Sequence, residues 1–260
     1  GFTRLSNKGD EVAFGSIGDA ATSEGHFWEA MNAAGVLQVP MAISVYDDGY
    51  GISVPKKYQT TKGSISDILK GFEKEPGRPG ILIYKGKGWD YPGLIRLYEK
   101  GISICRRDHI PVLFHIDEVT QPLGHSTSGS HERYKSEERL RWEEEFDPIR
   151  KMREWIIDQE IATAEELDKV AADAEAEAKE SRRKGWEMFQ NPIRIERDAL
   201  VKIIADRSCR CQEDAKEDSV DKIAEDLLRV ISPIRKDNFM AARKILRNVC
   251  ETCSKADNLK

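Results

Sequence analysis

The sequence predicts an α/β protein, a parallel sheet with helices on both faces, followed by a helical C-terminal extension. Two observations carry this. Over residues 11–120, short and continuously apolar runs such as "VAFGSIGD", "MAISVY", "GILIYKG" and "PVLFHIDEV" alternate with amphipathic stretches, and apolar runs of strand length are what a parallel sheet buried on both faces requires. From about residue 137 the strand-like runs stop and the chain turns charged and helix-periodic.

The first strand, 12–19, ends in Asp19, flanked by the small residues Gly18, Ala20 and Ala21. The helix expected over 24–37 carries Phe27, Met31, Ala34 and Leu37 at helical spacing, a stripe that faces the sheet, while Glu24 and Glu29 face outward. The second strand, "MAISVY", runs into Asp47-Asp48-Gly49-Tyr50-Gly51. A helix over 64–72, a strand over 80–86, a helix over 91–107 and a strand over 111–119 complete the alternation. Residues 121–136, "QPLGHSTSGSHERYKS", have no period and form a loop of the length that is usually functional or disordered. The charged helices beyond it, with Thr163 to Glu166 as a capping box, present solvated faces of mixed-sign pairs. After Asn191-Pro192, two or three further amphipathic helices follow, interrupted by the polar "CQEDAKEDS". The expected division is 1–136 for the α/β core, 137–192 for its helical completion and 193–260 for a helical extension. Trp28, Trp142, Trp155 and Trp186 read as packing anchors on helices.

The 260 residues carry a net charge of −5, with basic residues scattered among acidic ones, which argues against a nucleic-acid surface. No apolar run reaches the roughly 20 residues of a membrane span, and no secretory signal opens the chain, so a cytoplasmic protein is expected. Cys209/Cys211 and Cys250/Cys253 are spaced as zinc ligands might be, but they lack tight knuckles; with Cys105 they are expected to be reduced thiols. The chain opens on Gly1 and reaches its first strand almost at once, so it reads as a piece of a longer polypeptide.

In a parallel sheet, ligands collect at the carboxyl ends of strands. Asp19 stands at one such end and Asp48 at the next, which the right-handed crossover places beside or close to the first. Magnesium takes one or two carboxylates, a carbonyl, water and phosphate oxygens. Asp19, Asp48, the Tyr50 carbonyl and a diphosphate would fill such a shell. Gly49 and Gly51 would allow the sharp turn that aims the carbonyl, and Gly18, Ala20 and Ala21 would let a phosphate approach the backbone. The competing reading makes Asp19 a helix cap and "DDG" a plain turn.

The residues Gly18-Asp19-Ala20 and Asp47-Asp48-Gly49-Tyr50-Gly51, with "SEGHFWEAMNAAGVLQVP" between them, resemble the thiamine diphosphate motif of the 2-oxo acid dehydrogenase decarboxylase components, in their alpha half. That motif begins Gly-Asp-Gly or Gly-Glu-Gly and ends Asn-Asn-x-Tyr-Gly. "PLGHSTSGSHERYKSEE" is similar to the family's Gly-His-Ser-x-Ser loop, and the resemblance covers roughly residues 10–190. It implies magnesium on Asp19, Asp48 and the Tyr50 carbonyl, and thiamine diphosphate against Gly18, Asp19, Ala20, Ala21, Asp48, Tyr50, Ile52 and His125. His125 matches the loop histidine that supports acyl transfer to lipoamide. Ser126 matches a phosphorylation site of mitochondrial members, although turn chemistry suffices for a hydroxyl there.

Several positions depart from the pattern. Ala20 replaces glycine, Asp48 replaces asparagine and adds charge beside a diphosphate, Gly129 stands where many members have Asp, and Lys135 stands for Arg. The resemblance further implies a 2-oxo acid substrate, a beta half that is fused or separate and supplies the glutamate for the aminopyrimidine, a lipoyl-bearing acyltransferase, and a dimeric or heterotetrameric assembly. The chain alone is then expected to be inactive. Helices after 191 read as the linker of a fused alpha-beta polypeptide, and "SEG" with "GYGIS" leans toward branched-chain members. Two alternatives stand beside this: another transketolase-like thiamine diphosphate enzyme, and a non-catalytic α/β assembly module.

Overall fold

A computed structural model describes residues 9–125, 131–205, 220–249 and 256. Ser126, Gly129, Cys209, Cys211, Cys250, Cys253 and the "CQEDAKEDS" segment lie outside them. The chain forms two compact units, Gly1–Ala164 and Glu165–Lys260.

The first unit is built on a four-stranded, wholly parallel sheet in the order β1 (Ala13–Gly18), β2 (Met41–Tyr46), β6 (Val112–Asp117), β5 (Leu82–Lys87). Between the strands run α1 (Gly25–Leu37), a small hairpin of β3 (Tyr50–Gly51) and β4 (Val54–Pro55), the short α2 (Ile65–Ile68) and α3 (Tyr91–Asp108). The helices α4 (Glu137–Glu145) and α5 (Pro148–Asp158) follow. Helices on both faces bury the central strands, as the continuous apolar runs require. On β6, Val112, Phe114 and Ile116 point to the α3 face with Ala42 and Cys105, while Leu113 joins Phe27, Met31, Val45, Ile65, Leu69 and Ile81 on the other. Each of the Val, Leu, Ile, Phe and Met side chains contributes roughly 1.5–3 kcal/mol by leaving water. The same alternation turns His115, 1% exposed, onto the face of α2.

Local chemistry sets the helix starts. Asp90 accepts from Gly93 N to cap α3, Ser136 from Arg139 N to cap α4, and Asp147 from Ile149 N and Arg150 N to cap α5. The α1 stripe holds at Phe27, Met31 and Ala34, but Leu37 is 68% exposed. It is the last residue before the left-handed Gln38, where α1 ends, and Gly35 takes the packing position against Ile81 instead. Among the described residues β1 has a neighbouring strand on one side only, and Phe14 is exposed.

In the second unit, α6 (Ala164–Ala205) runs on through Pro192, where a break was expected; α7 (Val220–Leu228) and α8 (Arg235–Asn248) follow. A proline inside a helix costs about 3 kcal/mol locally. Here the helix is pinned on both sides of it: Gln190 Nε2 donates to the Pro233 carbonyl, and Asn238 Nδ2 donates to that of Ile193. Leu200, Ile204, Val220, Ile223, Leu227 and Ile245 form the core below. Trp186, expected to be a packing anchor, is instead exposed and rests on Phe189. Among the described residues no helix is long and apolar enough to cross a membrane.

Candidate active site

β1 and β2 pair in register up to Gly18 opposite Tyr46, so the residues that follow, Asp19 and Asp47-Asp48, emerge side by side at the carboxyl edge of the sheet. Asp19 N extends the ladder by donating to the Tyr46 carbonyl at 3.0 Å. Its carbonyl then receives Thr22 N and Thr22 Oγ1 in a single 3₁₀ turn, Ala20–Ser23. Ala20 is absent from the residues with positive φ, so its methyl replaces the family's glycine hydrogen without backbone strain. The two turn glycines serve different ends. Gly49, at φ 82°, makes the turn; Gly51 has no such φ but a Cβ there would lie 2.8 Å from the Ala20 methyl and 2.4 Å from Gln59 Nε2. Ile52 heads the two-residue loop of the hairpin at φ 60°, a rare conformation for a β-branched side chain.

The carboxylates have unlike environments. Asp19 is 3% exposed and its Oδ2 has no hydrogen-bond partner. Burial, then the neighbouring charges of Asp47 and Asp48, push its pKa up to about 7. Asp48 is also raised, by burial, against the opposing pull of Tyr50 N, Lys135 and Arg139. For Asp47 burial pulls upward too, but hydrogen bonds from His115 and Lys56 outweigh it and hold the carboxyl below its ordinary value. Lys56 Nζ reaches both Asp47 oxygens at 3.0 and 2.8 Å, His115 Nε2 lies 3.0 Å from Oδ2, and Gly49 N donates to Oδ1 at 2.9 Å. Behind it, Ser66 Oγ meets His115 Nδ1 at 2.9 Å.

A second polar cluster flanks the turn. Arg139 Nη2 donates to the Asp48 carbonyl at 2.8 Å and Arg139 Nε to Glu143, which also takes both bonds of the buried Lys135 at 2.8 Å. Lys135, the departure from arginine, therefore keeps an internal ion pair. The Tyr50 ring has Lys135 5.4 Å and Arg139 5.7 Å from its centroid and the Tyr134 ring at 5.5 Å. His125 is exposed; its backbone bonds the Tyr134 hydroxyl, which links the loop to Tyr50. His26 is exposed on the first turn of α1, whose N-cap is Glu24.

The residues present fit a divalent cation with a diphosphate. A buried carboxylate oxygen without a partner, beside a second raised carboxyl, is short of positive charge. Above Gly18 a Cβ would meet nothing within 4 Å, so the backbone there is open. Among the described residues no three His, Cys, Asp or Glu side chains converge on a metal position, so a cation here would need a carbonyl and ligand oxygens as well.

Residues 3–188 match the family described as the dehydrogenase E1 component. The chain belongs to that family. Members are generally thiamine diphosphate-dependent. This chain is 33% identical over 167 residues to the 3-methyl-2-oxobutanoate dehydrogenase subunit alpha of Mycobacterium tuberculosis, covering 64% of this chain and 43% of that one. It is 28% identical to the pyruvate dehydrogenase E1 component subunit alpha of Porphyra purpurea over 64% of this chain and 45% of the relative. For the mitochondrial 2-oxoisovalerate dehydrogenase subunit alpha 2 of Arabidopsis thaliana the figures are 29%, 58% and 30%. The match thus spans less than half the length of each of these relatives, and it bears out the resemblance to an alpha half.

Sequence reasoning singled out Asp19, Asp48 and Tyr50; in the structure the two aspartates follow the paired strands β1 and β2, and Tyr50 lies two residues past Asp48. That reasoning missed the part played by Lys56, Ser66 and His115. The available signal was a histidine inside an apolar strand, since a buried imidazole needs partners for both nitrogens.

Proposed function

We propose that this chain is the alpha half of the decarboxylase component of a 2-oxo acid dehydrogenase complex, holding magnesium and thiamine diphosphate for oxidative decarboxylation and acyl transfer to lipoamide. The observation that carries this is the partnerless buried oxygen of Asp19 beside Asp48, in a family that generally depends on that cofactor. Thiamine diphosphate supplies the nucleophilic carbon and the electron sink that loss of carbon dioxide from a 2-oxo acid needs.

The protein's own residues bind and orient. Asp19, Asp48 and the Tyr50 carbonyl would hold magnesium, and the bare backbone of Gly18, Ala20 and Ala21 would admit the diphosphate. Ile52, held in its strained turn, would present its side chain to the cofactor rings. Asp48 in place of asparagine adds a charge that the metal and the nearby Lys135 and Arg139 offset. His125, on the exposed loop, is the residue proposed to act in acyl transfer. The substrate is read as a branched-chain 2-oxo acid, in line with two of the relatives named above. A beta half, fused or separate, and a lipoyl-bearing acyltransferase are the proposed partners, and this chain alone would be inactive.

Calorimetric titration of thiamine diphosphate into the full-length protein, with magnesium, with EDTA and with Asp19→Ala, tests the reading. Binding that requires magnesium and is lost in the variant is expected. No binding under any condition would return the aspartates to caps and turns and favour an assembly module.

A further inference from the structure

Where the family pattern has two asparagines, this chain has two aspartates, and the first of them is the one without a free side. Asp47 is 2% exposed and sits in one crevice with Asp19 and Asp48. Three carboxylates so placed repel one another, and a buried charge without compensation is strongly destabilising. The fold answers it from two directions. Lys56, at the start of the 3₁₀ turn after the hairpin, grips the loop twice: its backbone N donates to the Gly49 carbonyl at 2.8 Å and its ammonium chelates Asp47. His115, from the middle of β6, takes the remaining side of Oδ2 and is itself held by Ser66 from α2.

The Asp47 backbone is equally occupied, donating to the Ile116 carbonyl and accepting from Val119 N. Its Oδ1 also holds Gly49 N. Every polar atom of Asp47 is therefore used internally, and none is left for a ligand. Its neighbours Asp48 and Tyr50 lie on the same turn.

We propose that Lys56 and His115 are positioning residues which, through Asp47, brace the Asp48–Gly51 turn, so that the ion pair Asp47–Lys56 replaces a neutral residue as the anchor of the metal–diphosphate site. The inference rests on the cofactor reading above. It implies that Lys56 matters for what it does to Asp47 and not for a contact with the diphosphate. Removing the lysine alone strands a buried carboxylate beside Asp19; removing both charges leaves an asparagine that still receives Gly49 N and His115 Nε2–H.

The test is a double-mutant cycle on the full-length protein, reading the magnesium concentration that half-saturates thiamine diphosphate binding, with melting in EDTA as the measure of fold. Lys56→Met is expected to raise the magnesium requirement at least tenfold. Lys56→Met/Asp47→Asn is expected to recover to within threefold of the wild type, and Lys56→Arg to stay within threefold. A double variant as weak as Lys56→Met would overturn the proposal, because Lys56 would then act on the cofactor directly. So would Lys56→Met binding as well as the wild type. If Lys56→Met does not fold, Lys56→Arg decides: a tenfold loss with the charge retained contradicts the brace. A wild type that binds no thiamine diphosphate at any magnesium concentration removes the cofactor reading and this proposal together, an outcome distinct from normal wild-type binding with indifferent variants.

Discussion

Asp19 carries the sharpest consequence of any single residue. Its pKa is about 7 in the folded protein against 3.8 for an ordinary aspartate, so between those values the native state binds a proton that the unfolded state has released. Stability from this group is complete below pH 4 and is lost as pH rises through 7. In EDTA, Asp19→Asn should therefore melt above the wild type at pH 8, with the gap closing toward pH 4; a gap that widens on acidification would contradict the assignment. Ile52 is the other residue under strain. A left-handed non-glycine residue costs about 1–2 kcal/mol, which Ile52→Gly relieves against a glycine entropy cost of roughly 0.5–1 kcal/mol. Urea unfolding without cofactor should show stability unchanged or slightly raised, while calorimetry shows weaker thiamine diphosphate binding. If binding is untouched, the side chain has no part in the site.

At the scale of elements, close packing of α3 on the sheet depends on one hydrogen atom. A Cβ on Gly101 would stand 2.6 Å from the Phe114 ring and 3.2 Å from that of Tyr84. Alanine is the better helix former by about 1 kcal/mol, yet the ring is buried and cannot yield without disturbing Leu82, Leu97 and Ile102 around it. Overpacking of this kind costs roughly 1–3 kcal/mol, so Gly101→Ala should lower the denaturation midpoint; a rise would mean that α3 slides freely. Pro192 behaves in the opposite sense. The tertiary bonds of Gln190 and Asn238 already hold α6 continuous, so Pro192→Ala should stabilise the second unit by about 1–3 kcal/mol in urea unfolding. Of these features, the order of strands and helices along the chain was legible from residue pattern. The continuity of α6 was not, because local propensity argues for a break and only distant carbonyl and amide partners reverse it.

For the whole molecule, the expected result is that catalysis needs more polypeptide than this. The crevice built here supplies two carboxylates, a turn and an open backbone edge, all on the carboxyl side of β1 and β2. Phe14 and Tyr46 stay exposed on β1 and β2. Purified alone, the chain should show no 2-oxo acid decarboxylation above buffer, and activity should appear with the beta half; turnover by the isolated chain would show that the site is complete without it.

The sequence by itself determined the layered α/β class, the strand ends on which Asp19 and Asp48 stand, and the family motif, because each is written in short-range pattern: continuous apolar runs, 3.6-residue spacing, and small residues at turns. Only the tertiary structure decided how the extra charge is tolerated. Lys56, Ser66 and His115 come from the 3₁₀ turn after the hairpin, a short helix and a central strand, separated from Asp47 by loops and a crossover. Their partnership arises from strand order and side-chain direction, which bring distant positions within hydrogen-bond reach; the chain itself marks only that His115 stands inside an apolar strand, not which residues it meets.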